Sequence, residues 1–365
     1  MSLSLQINRD DARPIYRQIV AQIKNQISMG RLPAGTRLPP VRQLATTLDI
    51  NRLTVHNAYS ELQADGWVES TVGKGTYVIE STQPLALLSS IGSETGAESV
   101  LSDIHPISQI PTLRSLAYSE PDPALVPFDE FWGMLALIKR DAPNLMGYRA
   151  PQGDLPLRVE LAKFLTSERD ITAMPDDILV THGAMQGISL ITEALAQPGD
   201  TVLVEDPTYL GFIHMMSVRG LNPVSVPVDA EGPDLNRLEA LIRQHKPRFF
   251  YTVPTFHNPT GYSMSAARRR DLLALSRKYD LPVIEDDIYG SLSYDGPSST
   301  PLRASDNSGR VIYISSVSKV FSPGLRVGYT ILPDHLRERV LSLRRAADMF
   351  GASFTQRALA HFMAS

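Results

Sequence analysis

Two spacings of apolar residues divide this chain. Between residues 12 and 80 they recur at helical intervals: Ile15, Ile19, Val20, Ile23 and Ile27, then Val41, Leu44, Ala45 and Leu48, then Val55, Tyr59 and Leu62. Pro33-Ala34-Gly35 makes a turn between the first two stretches, Pro39-Pro40 can open the second, and Asn51 suits the N-cap of the third. The spacing predicts helix, tight turn, helix. After Asp65-Gly66, the runs Trp67 to Ser70 and Thr76 to Ile79 flank a Gly73-Lys74-Gly75 tip and predict a β-hairpin.

Residues 81–111 hold Ser, Thr, Gly and Gln with short apolar pieces and no sustained period. That composition predicts a linker and separates residues 12–80 from a second domain over 112–365. In that domain short apolar runs alternate with helical stretches: Ile178 to Thr181, Thr201 to Glu205, Phe249 to Val253, Leu281 to Glu285 and Val311 to Ser315. Alternation of this kind predicts an α/β fold on a mostly parallel sheet, with its ligand site outside the carboxyl ends of the strands.

Composition narrows the chemistry. The 365 residues are 43% apolar and 20% charged, enough to bury two cores, and contain no cysteine, which removes thiolate catalysis and cysteine metal sites; no metal is expected. Neither a signal-peptide core nor a span of about 20 apolar residues is present, so the expected location is cytoplasmic, with no membrane partner. Residues 1–80 carry a net charge of +2 and the remainder −6. So small an excess does not by itself announce nucleic acid.

Candidate chemistry collects at the predicted strand ends. Lys319 follows Ser316 and Ser318, with Arg326 seven residues on: small hydroxyls and a guanidinium that can hold a phosphate beside an amine. Gly183-Ala184-Met185 offers amides at a helix N-terminus. Tyr209 supplies an aromatic face, Asn258 an amide that can donate to a phenolate oxygen, and Asp286 a carboxylate that can pair with a protonated ring nitrogen. Singly, each has an ordinary explanation as a turn, a core residue or a solvated pair. Together they describe a pyridoxal phosphate site.

Residues 32–45, Asn51 to Val55 and Leu62 to Val68 resemble the GntR-type winged helix-turn-helix over about 65 residues. The likeness implies double-stranded operator DNA as partner, with Arg42, Asn51, Arg52, Thr54, His56, Gly73 and Lys74 near it and Arg37 as a phosphate contact. The family often has a second arginine where this chain has His56.

From about Leu113 onward the chain resembles the fold type I aminotransferases, in the MocR branch that follows a GntR domain. Tyr148 to Gly153 belong to the likeness, as do Asp206 to Tyr209, Asn258 to Gly261, Asp286 to Tyr289 and Ser316 to Lys319. It implies that Lys319 forms the internal aldimine with pyridoxal 5'-phosphate, that Asp286 pairs with the ring nitrogen, that Asn258 and Tyr289 contact the 3-oxygen, and that Tyr209 stacks on the ring. Lys319, Asp286 and Tyr289 are then the catalytic set. Ser316, Ser318, Arg326 and the amides of Ala184 and Met185 hold the phosphate, and Tyr148 comes from the second subunit of a homodimer. Relatives commonly have Ser-Gln where this chain has Ala184-Met185, and glutamine where it has His257. They also continue into a small C-terminal domain bearing the arginine that clamps a substrate carboxylate, so the likeness implies that the domain over 112–365 is incomplete at its C-terminus. The expectation is a transcriptional regulator that senses an amine or amino acid through its cofactor; the alternative is an active aminotransferase with a DNA-binding appendage.

Overall fold

A computed structural model describes residues 5, 7–8, 14–28, 32–33, 35–64, 67–71, 75–79, 119–140 and 142–365. The predicted linker over 81–111 lies outside them, as do the hairpin-tip residues Gly73 and Lys74. The chain divides into two compact units, residues 1–118 and 119–365.

In the first unit, α1 (Ile15–Ser28), α2 (Val41–Leu48) and α3 (Arg52–Ala64) precede a hairpin of β1 (Val68–Thr71) and β2 (Gly75–Val78). Ile19, Ile23, Leu44, Val55, Tyr59 and Leu62 close one core beneath Val68 and Val78. The α2 to α3 turn is short because Asp49 adopts φ +51°, which ends α2, and Asn51 Oδ1 accepts the Leu53 amide at 2.9 Å, which starts α3. Tyr59 donates from its hydroxyl to the Pro39 carbonyl at 2.8 Å and fixes α3 to the head of α2.

The second unit is built on an eight-stranded sheet in the order β3-β10-β9-β8-β7-β4-β5-β6. Its strands are β3 (Ile178–Thr181), β4 (Thr201–Asp206), β5 (Asn222–Asp229), β6 (Gly232–Pro233), β7 (Phe250–Thr252), β8 (Val283–Asp286), β9 (Val311–Ser316) and β10 (Gly328–Ile331). Strands β9, β8, β7, β4 and β5 run parallel, and β10 lies antiparallel between β3 and β9. Covering helices include α4 (Phe128–Leu137), α5 (Leu155–Arg169), α6 (Ala184–Leu195), α7 (Leu210–Val218), α8 (Leu235–His245), α9 (Ala266–Tyr279), α10 (Asp334–Ala347) and α11 (Ser353–Met363).

Successive strand residues enter different cores. Val204, Tyr251, Ile284 and Ile312 pack with α6 and α7, whereas Leu203, Phe250, Val283 and Val311 pack with α8 and α9. Burial on both faces explains why these strands read as continuous apolar runs rather than alternating ones. Strands β5, β6 and β10 were not anticipated from the sequence. Asn222-Pro223 opens β5 with poor strand formers, and β10 is four residues long directly after the Arg326 turn, so neither has the signature of a buried strand. Among the described residues no helix is long and apolar enough to cross a membrane.

Candidate functional site

Strand β8 ends in Glu285 and Asp286 and is followed directly by Asp287, three consecutive carboxylates that are all buried. Burying a charge is costly unless it is paired, so the partners of each acid are informative. Glu285 accepts the Leu302 and Arg303 amides at 2.7 and 2.8 Å. Asp287 Oδ2 takes Arg169 Nη2 at 2.6 Å and the Tyr313 hydroxyl at 2.7 Å. Asp286 has one side-chain donor, the Tyr251 hydroxyl at 2.7 Å from Oδ2; its Oδ1 is buried without a hydrogen-bond partner, and no ion pair to it occurs among the described residues. Asp287 Oδ1 also lacks a hydrogen bond, but the Arg169 guanidinium offsets that acid's charge. Burial pushes the Asp286 carboxyl up to about 6, against the stabilising bonds from Tyr251 and the Ile288 amide.

Four of the predicted residues gather around that acid. Lys319, just beyond β9, donates from Nζ to the Ser119 carbonyl at 3.2 Å. Burial lowers the Lys319 pKa, while the charges of Glu120 and Asp286 oppose the change. Tyr209 caps the start of α7, and burial, followed by the charge of Asp286, raises its phenol. Tyr289 also interacts with Asp286, and its hydroxyl accepts Asn258 Nδ2 at 3.2 Å. An amine, a carboxylate, two phenols and an amide thus converge from the ends of β4, β7, β8 and β9.

A second group sits where α6 begins. Gly183, at φ +76°, turns the chain from β3 into α6, so the Ala184 and Met185 amides lie in a first turn with no intrahelical acceptor. Arg326, at φ +54°, donates from Nη2 to the His182 carbonyl at 3.1 Å. Backbone leaves no room for a side chain at Gly328, and one at Gly183 would displace the Arg326 guanidinium. A Cβ on Gly183 would fall 2.7 Å from Arg326 Nη2, and one on Gly328 would fall 2.6 Å from the Ala184 nitrogen. Ser316 Oγ accepts the Ser318 amide at 3.1 Å, which folds the serine loop back on itself. A cavity of about 460 Å³ opens beside Arg326 and His182 and is lined further by Ala352, Thr355 and Gln356; Asp286 and Lys319 do not line it. An orphaned acid in one group, and a guanidinium with helix-opening amides in the other, are the partners that a flat, positively charged ring bearing a phosphate requires.

Tyr148 stands apart. It is 83% exposed, and its ring meets Phe350 edge-on at 5.9 Å. Within one protomer it joins neither group.

The structure adds residues that the sequence reading missed. Tyr251 lies inside an apolar run and carries no local sign of touching Asp286. Glu205, fully buried, accepts the Thr252 hydroxyl at 2.6 Å, the Tyr262 hydroxyl at 2.5 Å and the Val253 amide at 3.0 Å. His257 Nε2 lies 3.0 Å from Glu205 Oε2, off the line of a straight hydrogen bond, while Nδ1 meets Thr260 Oγ1 at 2.8 Å and the ring stacks on Tyr262. Glu205 precedes the loop to Tyr209 and His257 precedes Asn258, so this cluster ties two site loops together.

In the first unit the buried face of α3 carries Val55, Ala58, Tyr59 and Leu62. Leu53, His56, Asn57 and Ser60 are exposed one turn apart on the opposite face, with Arg52 beside them. Of the predicted DNA residues, Arg42, Asn51, Arg52 and His56 are exposed and Thr54 is half-buried. Arg37 is held on the hairpin. It forms a β-bridge with Tyr77, its guanidinium lies 5.9 Å above that ring, and a Cβ on Gly75 would strike its Nε at 2.8 Å.

Comparison with known proteins matches both units. Residues 15–78 match the family model of bacterial regulatory proteins, gntR family, and residues 130–365 match aminotransferase class I and II. The HTH-type transcriptional regulator YdfD of Bacillus subtilis is 35% identical over 361 residues, which cover 96% of this chain and 74% of that protein. The probable rhizopine catabolism regulatory protein MocR of Rhizobium meliloti is 28% identical, over 98% of this chain and 73% of that one. Among solved structures, the kynurenine aminotransferase of Pyrococcus horikoshii, determined with PMP, superposes with a TM-score of 0.67 at 30% identity, covering 76% of this chain and 69% of that one. An archaeal alanine:glyoxylate aminotransferase gives 0.69 at 30% identity, covering 78% and 72%. The chain belongs to the gntR family of bacterial transcriptional regulators, in the MocR-like branch whose members carry an aminotransferase class I and II domain behind the winged helix.

Proposed function

We propose that this regulator binds pyridoxal phosphate at Lys319 and uses it to sense an amine or amino acid, which alters its binding to operator DNA. The observation that carries the reading is the unpartnered, buried Oδ1 of Asp286 in the cluster with Lys319, Tyr209, Tyr289 and Asn258. A carboxylate left in that state is stabilised by a cationic group, and a protonated pyridine nitrogen is one. When bound, pyridoxal phosphate supplies an aldehyde that links reversibly to amines and a ring that takes up electrons.

The protein's own groups divide the remaining work. Lys319 provides the amine, and its lowered pKa raises the neutral fraction that a nucleophile needs. Asn258 and Tyr289, 3.2 Å apart, can both donate to one ring oxygen. Tyr209 covers a ring face, and Arg326, Ser316, Ser318 and the Ala184 and Met185 amides hold the phosphate, with Tyr148 given to a second protomer of a homodimer. An amine that replaced Lys319 on the cofactor would leave the lysine as a free amine in the site. Any effect on DNA then depends on the effector's differential affinity for two arrangements of the dimer.

One observation favours an active aminotransferase as the second reading: amine, acid, amide and phenol are all retained. The decisive experiment combines two measurements. Borohydride reduction of the loaded protein and peptide mass mapping should place the cofactor on the peptide containing Lys319; an unmodified Lys319 in saturated protein refutes the site. Operator affinity and keto-acid release, followed across a panel of amino compounds, should show a shift in DNA binding without multiple turnover. Sustained turnover puts the enzyme reading first.

A further inference from the structure

We propose that Tyr251 is a positioning residue for the ring-nitrogen contact: its phenolic hydrogen holds Asp286 Oδ2, so that Oδ1 alone is presented to the ring. The inference rests on the pyridoxal phosphate reading above. Three observations carry it. Tyr251 sits in the middle of β7, in register with Ile284 of β8, so Asp286 lies two residues further along the neighbouring strand, within reach of a long side chain on the same face. The phenol is fully buried and its hydroxyl donates to Asp286 at 2.7 Å. Its ring is stacked on Phe212 at 3.7 Å and 7°, and Phe212 follows the ring-stacking Tyr209 by one turn of α7. The donor therefore has little freedom to move.

A core position needs no hydroxyl. Phe249 and Phe250, the preceding residues, are buried without one. A buried O–H is costly unless bonded, and this one donates to the acid of the site. A carboxylate with two equivalent free oxygens could rotate between them. Anchoring Oδ2 leaves the other oxygen in a fixed direction, and it stabilises the anion that a protonated ring requires. Burial and the neighbouring acid keep the phenol protonated, which preserves the donor.

The test uses the full chain, PLP, and its 1-deaza analogue, in which carbon replaces the ring nitrogen. Tyr251→Phe should weaken PLP binding about tenfold, the effect of losing one hydrogen bond to a charged group. It should also raise the pH midpoint of the bound cofactor's visible band, because the ring proton moves toward a more basic Asp286 and the lysine linkage becomes more basic in turn. Affinity for the 1-deaza analogue should be unchanged, and adding Tyr251→Phe to Asp286→Asn should move neither quantity further. Equal losses for both cofactors, or additive effects in the double variant, would assign Tyr251 to packing alone and overturn the proposal. If Tyr251→Phe does not fold, a fluorinated tyrosine placed at 251 keeps the shape and donates more strongly; its midpoint should fall, and an unmoved midpoint overturns the proposal equally. No visible band in the wild type refutes the cofactor reading itself, whereas a normal band indifferent to Tyr251 refutes only this inference.

Discussion

The two units make functional surfaces in opposite ways. In the winged helix Asn51, Arg52 and His56, among the residues proposed to read DNA, are exposed side chains set at the start of α3, whose inner face fills a small local core. In the aminotransferase-like unit the residues proposed to hold the cofactor come from Tyr209, Asn258, Asp286 and Lys319, far apart in the chain, and they work because charge is buried among them. The first surface depends on electrostatics in water, which salt screens and single substitutions change modestly. The second depends on a low-dielectric site, where one missing partner leaves a buried charge unsatisfied. Substitutions should therefore differ in kind between the units.

The largest expected effect is an all-or-none one. Lys319→Ala should abolish the visible band and every response of operator affinity to amino compounds, while basal operator binding persists. Spectra and gel-shift titrations of the same preparation check both. A retained effector response in Lys319→Ala breaks the assignment of sensing to that amine.

Next comes a pH dependence. Asp286 is raised from 3.8 to about 6 by burial, so the cofactor-free fold binds its proton more tightly than the unfolded chain does. The contribution of that group is fully present below about pH 4 and is lost as pH rises through about 6, a change of roughly 3 kcal/mol. The stability of wild type relative to Asp286→Asn, measured by denaturant unfolding without cofactor, should therefore fall between pH 4 and 7. Saturating PLP should flatten the decline. A difference that rises with pH would mean that the acid is already paired.

On the DNA side, Arg52→Ala should cost about 1–3 kcal/mol of operator affinity and relax sequence preference if Arg52 contacts a base edge. Lys74→Ala should weaken all sequences alike and flatten the salt dependence. Binding indifferent to both removes the groove assignment.

The same contrast governs what the sequence disclosed. The winged helix was legible because its determinants are local: the Asn51 cap, the helical spacing of Val55, Tyr59 and Leu62, and the hairpin around residues 68–78 all lie within a few residues of what they control. In the larger unit the motifs at strand ends could be located, but their partners could not. Tyr251 reads as one more apolar strand residue, and its bond to Asp286 spans 35 positions. The Arg169 to Asp287 pair spans 118. Strand β10, inserted antiparallel between β3 and β9, reflects tertiary pairing that a four-residue segment cannot announce.

The smallest effect separates packing from position within the buried site. His257 touches Glu205 and Thr260 at opposite ring nitrogens and stacks on Tyr262 with centroids 4.6 Å apart, next to Asn258. Glutamine can place an amide donor near Glu205 but cannot stack in the same way or span to Thr260. Since Glu205 keeps its bonds from Thr252, Tyr262 and Val253, no buried charge is stranded by the exchange. His257→Gln should cost about 1 kcal/mol of stability, the scale of one neutral hydrogen bond, and should leave the cofactor's pH midpoint in place. His257→Leu supplies no donor at all. It should cost more and move the midpoint through a loosened Asn258, as thermal unfolding and absorbance titration would show. If leucine and glutamine behave alike, His257 fills space beside Asn258 and does not orient it.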